Sequence, residues 1–140
     1  MSMPESLETI IANFKRAPKA LRLQMLLEFS KKVPPLPEGM DSSSMERVHE
    51  CQTPFFLVAD VGSEAVNIHF DAPPEAPTTR GFAGILSAGL NGLAAESILA
   101  VPDDFYTDMG LAEVISPLRL RGMSAIMSRL KRQIQVASST

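Results

Sequence analysis

Phe55-Phe56-Leu57-Val58-Ala59 and, a few residues on, Val66-Asn67-Ile68-His69-Phe70 decide how this chain is built. The first is a run of aromatic and aliphatic residues. The second alternates apolar and polar, the period of a strand with one face on a core. Gly62-Ser63 between them supplies turn residues, so the two segments read as an antiparallel hairpin. A two-stranded hairpin is marginal in water unless something covers it. The flanking chain reads as helix, so the expected class is α+β, a small antiparallel sheet with helices packed against it. The 140 residues suit one domain, spanning 1–140.

Leu7, Ile10, Ile11 and Phe14 fall at i, i+3, i+4 and i+7, the stripe of an amphipathic helix that Pro4, Glu5 and Glu8 start well. A second helix from about Pro18 to Lys32 carries Leu21, Leu23, Met25, Leu26, Leu27 and Phe29 on most sides, which predicts deep burial. Pro34, Pro35 and Pro37 stop it. A third helix spans about Thr78–Leu93, with Phe82, Ile85, Leu86 and Leu90 as its apolar face. Its Gly81, Gly84 and Gly89 permit close approach of another backbone. Short turns near 95–99 and 103–109 precede a last helix over about Leu118–Val136, where Leu120, Met123, Met127, Leu130 and Ile134 form a core stripe.

Apolar residues make up 45% and charged residues 21%, the balance of a globular protein. No apolar run approaches the roughly 20 residues of a membrane span. Met1-Ser2-Met3-Pro4-Glu5 lacks the basic and apolar regions of a secretory signal, and one cysteine forms no internal disulfide. The expected location is the cytoplasm. A net charge of −3 argues against nucleic acid as a partner. Between Glu38 and Glu75 eight acids face one base, Arg47; from Ser116 to Thr140 there are five bases and no acid. These two surfaces either attract each other within the fold or offer a docking face to a charged protein.

The residue with the most chemistry is Cys51, in Arg47-Val48-His49-Glu50-Cys51-Gln52-Thr53-Pro54. Lone cysteines are usually inert core residues, but polar neighbours and a position at the entry to a strand point to a loop that carries function. His49, two residues away, would share a side with Cys51 in an extended segment. Nothing around the pair resembles an acyl-transfer site. A metal held by His49, Cys51 and His69, with Glu50 or Asp71, matches no zinc spacing. Gly81-Phe82-Ala83-Gly84 lacks the Lys-Ser/Thr of a phosphate loop.

Glu50-Cys51-Gln52-Thr53, running into Pro54-Phe55-Phe56-Leu57-Val58, resembles the cysteine motif of the SufE family, the sulfur acceptors of iron–sulfur cluster assembly. The order of further matches is kept: Pro35-Leu36-Pro37, Arg80-Gly81, Asn91-Gly92, Glu96-Ser97-Ile98, Phe105 and Gly110-Leu111. The closing signature is Ile115-Ser116-Pro117-Leu118-Arg119-Leu120-Arg121-Gly122-Met123. Two places depart from the family pattern. Glu50 stands where the family has glycine, and Asp71-Ala72-Pro73-Pro74-Glu75 stands where it has Asp-Ser-Asp.

The resemblance implies a SufE/IscU-like fold and Cys51 as the persulfide-forming nucleophile. It further implies Arg119 as a support of that site, with His49 as a weaker candidate. The implied partners are a SufS-type cysteine desulfurase, which carries pyridoxal phosphate, and an iron–sulfur scaffold complex as sulfur recipient. No cofactor is implied for this chain itself, and it would be an accessory protein rather than a stand-alone enzyme. A metal-dependent or cysteine hydrolase is one rival reading, and two more stand beside it. One is an interaction module that activates a desulfurase without carrying sulfur. The other is a cluster scaffold, which asks for three cysteines where this chain has one.

Overall fold

In the computed structural model, which describes residues 3–138, the elements follow the order expected. Helices α1 (Glu5–Arg16) and α2 (Lys19–Ser30) are followed by strands β1 (Glu46–Arg47), β2 (Phe56–Val61) and β3 (Val66–Asp71). Helices α3 (Pro77–Leu90), α4 (Ala95–Leu99) and α5 (Pro117–Ser138) complete the chain, with short 3-10 turns at Ser42–Ser44, Phe105–Met109 and Leu111–Glu113. The class is α+β, and the sheet is antiparallel in the order β1-β2-β3.

The hairpin read from the sequence is β2–β3, with Val58 opposite His69 and Val61 opposite Val66. Its inward positions Leu57, Val66, Ile68 and Phe70 are buried, as the alternation requires. The strand the pattern did not reveal is β1. It has two residues, Glu46 and Arg47, paired with Leu57 and Phe56. Two polar residues carry no period to detect. The far edge of β3 is covered by the chain leaving α3. Asn91 Oδ1 accepts the Ile68 N–H at 2.7 Å, Val66 N–H donates to Leu93 O, and Gly92 N–H donates to Val66 O, both at 2.8 Å.

Helix α3 is the centre of the molecule, with Phe82, Ala83, Ile85, Leu86 and Leu90 fully buried. It packs on α2 at very close range, because Gly81 and Gly84 present no side chain there. A Cβ on either would run into the backbone carbonyl of Leu26 or of Phe29. Arg80 fastens the same corner, its Nε donating to Ser30 O at 3.0 Å and its Nη1 to Ala72 O at 2.5 Å. The Arg80-Gly81 pair is thus structural.

One expectation is corrected. Helix α2 is not buried all round: only Leu26 is sealed, while Leu21 and Leu23 are 47% and 40% exposed. The glycine seam lets α3 take one face of α2, and among the described residues no other layer covers the opposite face.

Gly84→Ala is expected to cost about 1–3 kcal/mol or more, because the added methyl meets backbone that does not yield easily. Leu23→Ser should cost less than Gly84→Ala, because Leu23 already shows 40% of its surface to water and a smaller side chain there meets no backbone. Urea unfolding of the two variants measures the contrast.

Candidate functional site

The short strand β1 has a consequence for Cys51. Because Arg47 pairs with Phe56, the next residues close on each other, and Val48 N–H donates to Phe55 O at 2.8 Å. His49 to Pro54 therefore form the loop of a second hairpin, and Cys51 lies within it. The loop opens with a tight turn in which Cys51 N–H donates to Val48 O at 3.1 Å. Since this segment turns rather than extends, the two-residue spacing does not bring His49 to the thiol. His49 is exposed and near Glu50, while Cys51 faces inward and is 8% exposed.

What Cys51 faces is the start of two helices. A cavity of about 50 Å³ beside it is lined by Ala76, Thr78 and Thr79 at the beginning of α3 and by Leu118, Arg119 and Gly122 at the beginning of α5. Glu50, Gln52 and Thr53 close its loop side. Both helix N-termini carry partial positive charge, which favours an anion in the space they border.

The closing signature is legible in these terms. Ser116 caps α5, its Oγ accepting the Arg119 N–H at 3.3 Å, and Pro117 takes the first helical position, where its missing N–H does no harm. Arg119 then reaches across the cavity wall, where its Nη1 donates to Thr78 Oγ1 at 3.2 Å. Three residues on, the same face presents Gly122. A Cβ there would sit 3.3 Å from Cys51 Sγ, so the glycine makes room for the thiol. Sequence and structure thus place Arg119 and Cys51 around one cavity, with Gly122 and Thr78 added by the fold.

The strongest polar contacts of the loop were not anticipated residue by residue. Two turns beyond Gly122, Arg129 holds two carboxylates at once. Its Nη1 donates to Glu46 Oε2 at 2.6 Å, and its Nε and Nη2 to Glu50 Oε1 at 3.0 and 2.8 Å. Arg132 and Gln133 also donate to Glu46, at 2.6 and 2.9 Å. Gln133 Oε1 further accepts the Ala59 N–H at 2.7 Å. The hint was the excess of acids in one segment and of bases in the other. Part of that asymmetry is spent inside the fold.

These neighbours set the charge state of the site. Burial, and after it the Glu50 carboxylate, push the Cys51 thiol up from its ordinary 9.0 to about 11, against a smaller downward pull from Arg129. Burial also works against the Glu46 carboxylate, but hydrogen bonds from Gln133 and Arg129 and the charges of Arg132 and Arg129 outweigh it and hold Glu46 below its usual range. Glu50 is held low by its own backbone N–H, then, against slight burial, by Arg129 and by the charge of His49. In this resting arrangement Cys51 is held as the neutral thiol at pH 7. Among the described residues no three His, Cys, Asp or Glu side chains gather to hold a metal, and His69 sits in β3 opposite Val58.

The family model described as SufE, Fe-S metabolism associated domain, matches residues 8–134. The chain belongs to the SufE family. An uncharacterized SufE-like protein of Mycobacterium tuberculosis is 51% identical over 137 residues, covering 97% of this chain and 96% of that protein. The solution structure of a hypothetical protein from Thermus thermophilus superposes with a TM-score of 0.89 at 47% identity, covering 99% of this chain and all of the other. A plant relative, SufE-like protein 1 of Arabidopsis thaliana, described as chloroplastic/mitochondrial, is 26% identical. It covers 94% of this chain, which spans 35% of that longer protein. Membership of this family ties the chain to iron–sulfur metabolism as an accessory of sulfur transfer. No helix among the described residues is long and apolar enough to cross a membrane.

A raised thiol pKa has a testable sign. Between pH 9.0 and about 11 the unfolded chain releases the Cys51 proton while the folded protein keeps it, so stability falls as pH rises through that window. Below it the term vanishes. Cys51→Ala should therefore lose less stability than the parent between those pH values, measured by urea unfolding of both proteins across the range.

Proposed function

We propose that Cys51 accepts a sulfane sulfur from the persulfide of a pyridoxal-phosphate-dependent cysteine desulfurase, stimulates that enzyme by relieving it of sulfur, and passes the atom to the iron–sulfur assembly machinery. The observation that carries this reading is the placement of a single thiol in a hairpin loop, beside a cavity of about 50 Å³ bordered by two helix N-termini and Arg119. That cavity exceeds what one water needs and leaves room for one additional sulfur atom on Sγ.

The chemistry balances without an external oxidant. The Cys51 thiolate attacks the outer sulfur of the donor persulfide. A new S–S bond forms on Cys51, the S–S bond of the donor breaks, and its electron pair leaves on the donor cysteine. The persulfide proton travels with the outer sulfur, and the donor cysteine leaves as a thiolate. Thiolate fraction and nucleophilicity oppose each other, so the best acceptor titrates near ambient pH. The resting thiol does not, and transfer requires the loop to leave its pocket, where burial no longer raises the pKa.

Returning loaded, the loop would set the outer sulfur in the cavity, away from solvent thiols. Arg119, fixed on Thr78, and the helix N-termini would steady its negative charge there. A reducing compartment such as the cytoplasm suits a thiol that has to stay unpaired.

Incubation with desulfurase and free cysteine should add the mass of one sulfur atom to the intact protein, on Cys51, and Cys51→Ser should abolish it. If the Cys51→Ser variant still stimulates desulfurase turnover fully, the chain is an activator that carries nothing, and the carrier reading is lost. Arg119→Ala should slow loading or shorten persulfide lifetime roughly tenfold in a folded protein, the loss of one charge-assisted contact. An unchanged lifetime and rate would remove Arg119 from the site.

A further inference from the structure

The Arg129 contacts do more than join charges. Glu46 lies in β1, before the cysteine loop, and Glu50 lies within the loop next to Cys51; one guanidinium grips both. The Glu46 end is anchored three times over, by Arg129, Arg132 and Gln133. The Glu50 end, 49% exposed, is tied to α5 by Arg129 alone among the described residues, its other partners, its own backbone N–H and His49, lying within the loop. The base of the loop is thus fixed to α5, and at its tip, beside the packing of Cys51 on Gly122, the one charged tie to α5 among the described residues is an ion pair open to water.

On the outer side of that pair runs a groove of about 490 Å³, lined by Arg121, Ser124, Ser128, Arg129 and Arg132, with Glu50 at its edge. Arg121 is exposed and forms no ion pair among the described residues. Asp103, the other acid of the groove, is occupied by Lys131 at 2.9 Å. Two further serine hydroxyls offer donors. The groove is lined by three guanidinium groups, and Glu50 already occupies one of them.

We propose that the Glu50–Arg129 ion pair is a latch on the cysteine loop, and that an acidic segment of the sulfur donor, laid across Arg121 and Arg129, opens it by replacing Glu50. Binding and unlocking are then one event: the incoming carboxylate takes the place of Glu50 on Arg129, which keeps Glu46 throughout, while Glu50 is released to water together with Cys51. The Glu46 contacts remain and keep β1 on the sheet, so the loop moves without unfolding the hairpin. A glycine at position 50 could not form this lock, so the device belongs to chains that carry a carboxylate there. The inference rests on Cys51 as a sulfur acceptor only for the identity of the acidic partner.

Amide hydrogen exchange of Cys51, followed by NMR, reads the opening without any sulfur donor and irrespective of the thiol's protonation. Glu50→Gln should raise it about two- to fivefold after correction for the neighbouring side chain, the range an exposed ion pair carries, with the β2–β3 amides unchanged. Raising ionic strength should speed the parent protein in the same way and leave Glu50→Gln unmoved. Unchanged Cys51 exchange in both experiments overturns the latch. Hexaglutamate should accelerate exchange in the parent beyond hexalysine or sodium chloride at equal ionic strength, and Arg121→Ala should weaken that response. Equal effects of the three additives overturn the acidic segment. Failure of Cys51 to load sulfur, with these exchange results intact, would count against the proposed function and not against the latch.

Discussion

Everything at the site depends on how one face of α5 receives a loop from the sheet. Gly122 yields the space that the thiol occupies, and Arg129 and Gln133, further along, take up the carboxylates and backbone that flank it. A side chain at Gly122 would push Cys51 away. Without Arg129, Glu46 and Glu50 would stand as two partly covered like charges with no shared cation. Packing and charge act in the same direction: the loop lies down on the helix, and its cysteine goes with it. The cost falls on reactivity, because the burial that protects the thiol also keeps it protonated.

Under the proposed function, that conflict would make the loop the moving part. A thiol fixed in water would lose a persulfide to any small thiol it met, and a thiol fixed in the pocket would never reach a donor. Exchange between the two needs a restraint that is firm at rest and weak enough to break on contact. An ion pair near the surface has that strength, being screened by salt and open to competition, whereas the core beneath it does not. The glycine seam between α2 and α3 and the cover over the edge of β3 supply the rigidity against which such a loop can move.

Legibility differed by the kind of signal. The hairpin β2–β3 was readable because alternation marks a strand half-buried on a core, and α1, α3 and α5 because their apolar residues recur at helical spacing. Helix α2 misled for a physical reason. Leucines scattered around a helix imply burial on all sides, yet Leu21 and Leu23 stay exposed once Gly81 and Gly84 draw α3 onto a single face. The two-residue β1 had no period to find, and with it went the recognition that Cys51 sits in a hairpin loop. The same gap misplaced His49, since an extended spacing was applied to what is a turn.

By itself the amino-acid order determined the class of fold, the family, and the single cysteine on which the proposed function rests, because these follow from local periodicity and from a motif whose members lie close along the chain. It also marked the acidic and basic segments as opposites without saying which members meet. Only the tertiary structure decided that Arg129 joins Glu46 to Glu50, that Arg119 meets Thr78, and that Gly122 faces Sγ. Contacts between residues 41 to 83 positions apart are set by how helices and strands pack, and no local pattern encodes the angle at which they do so.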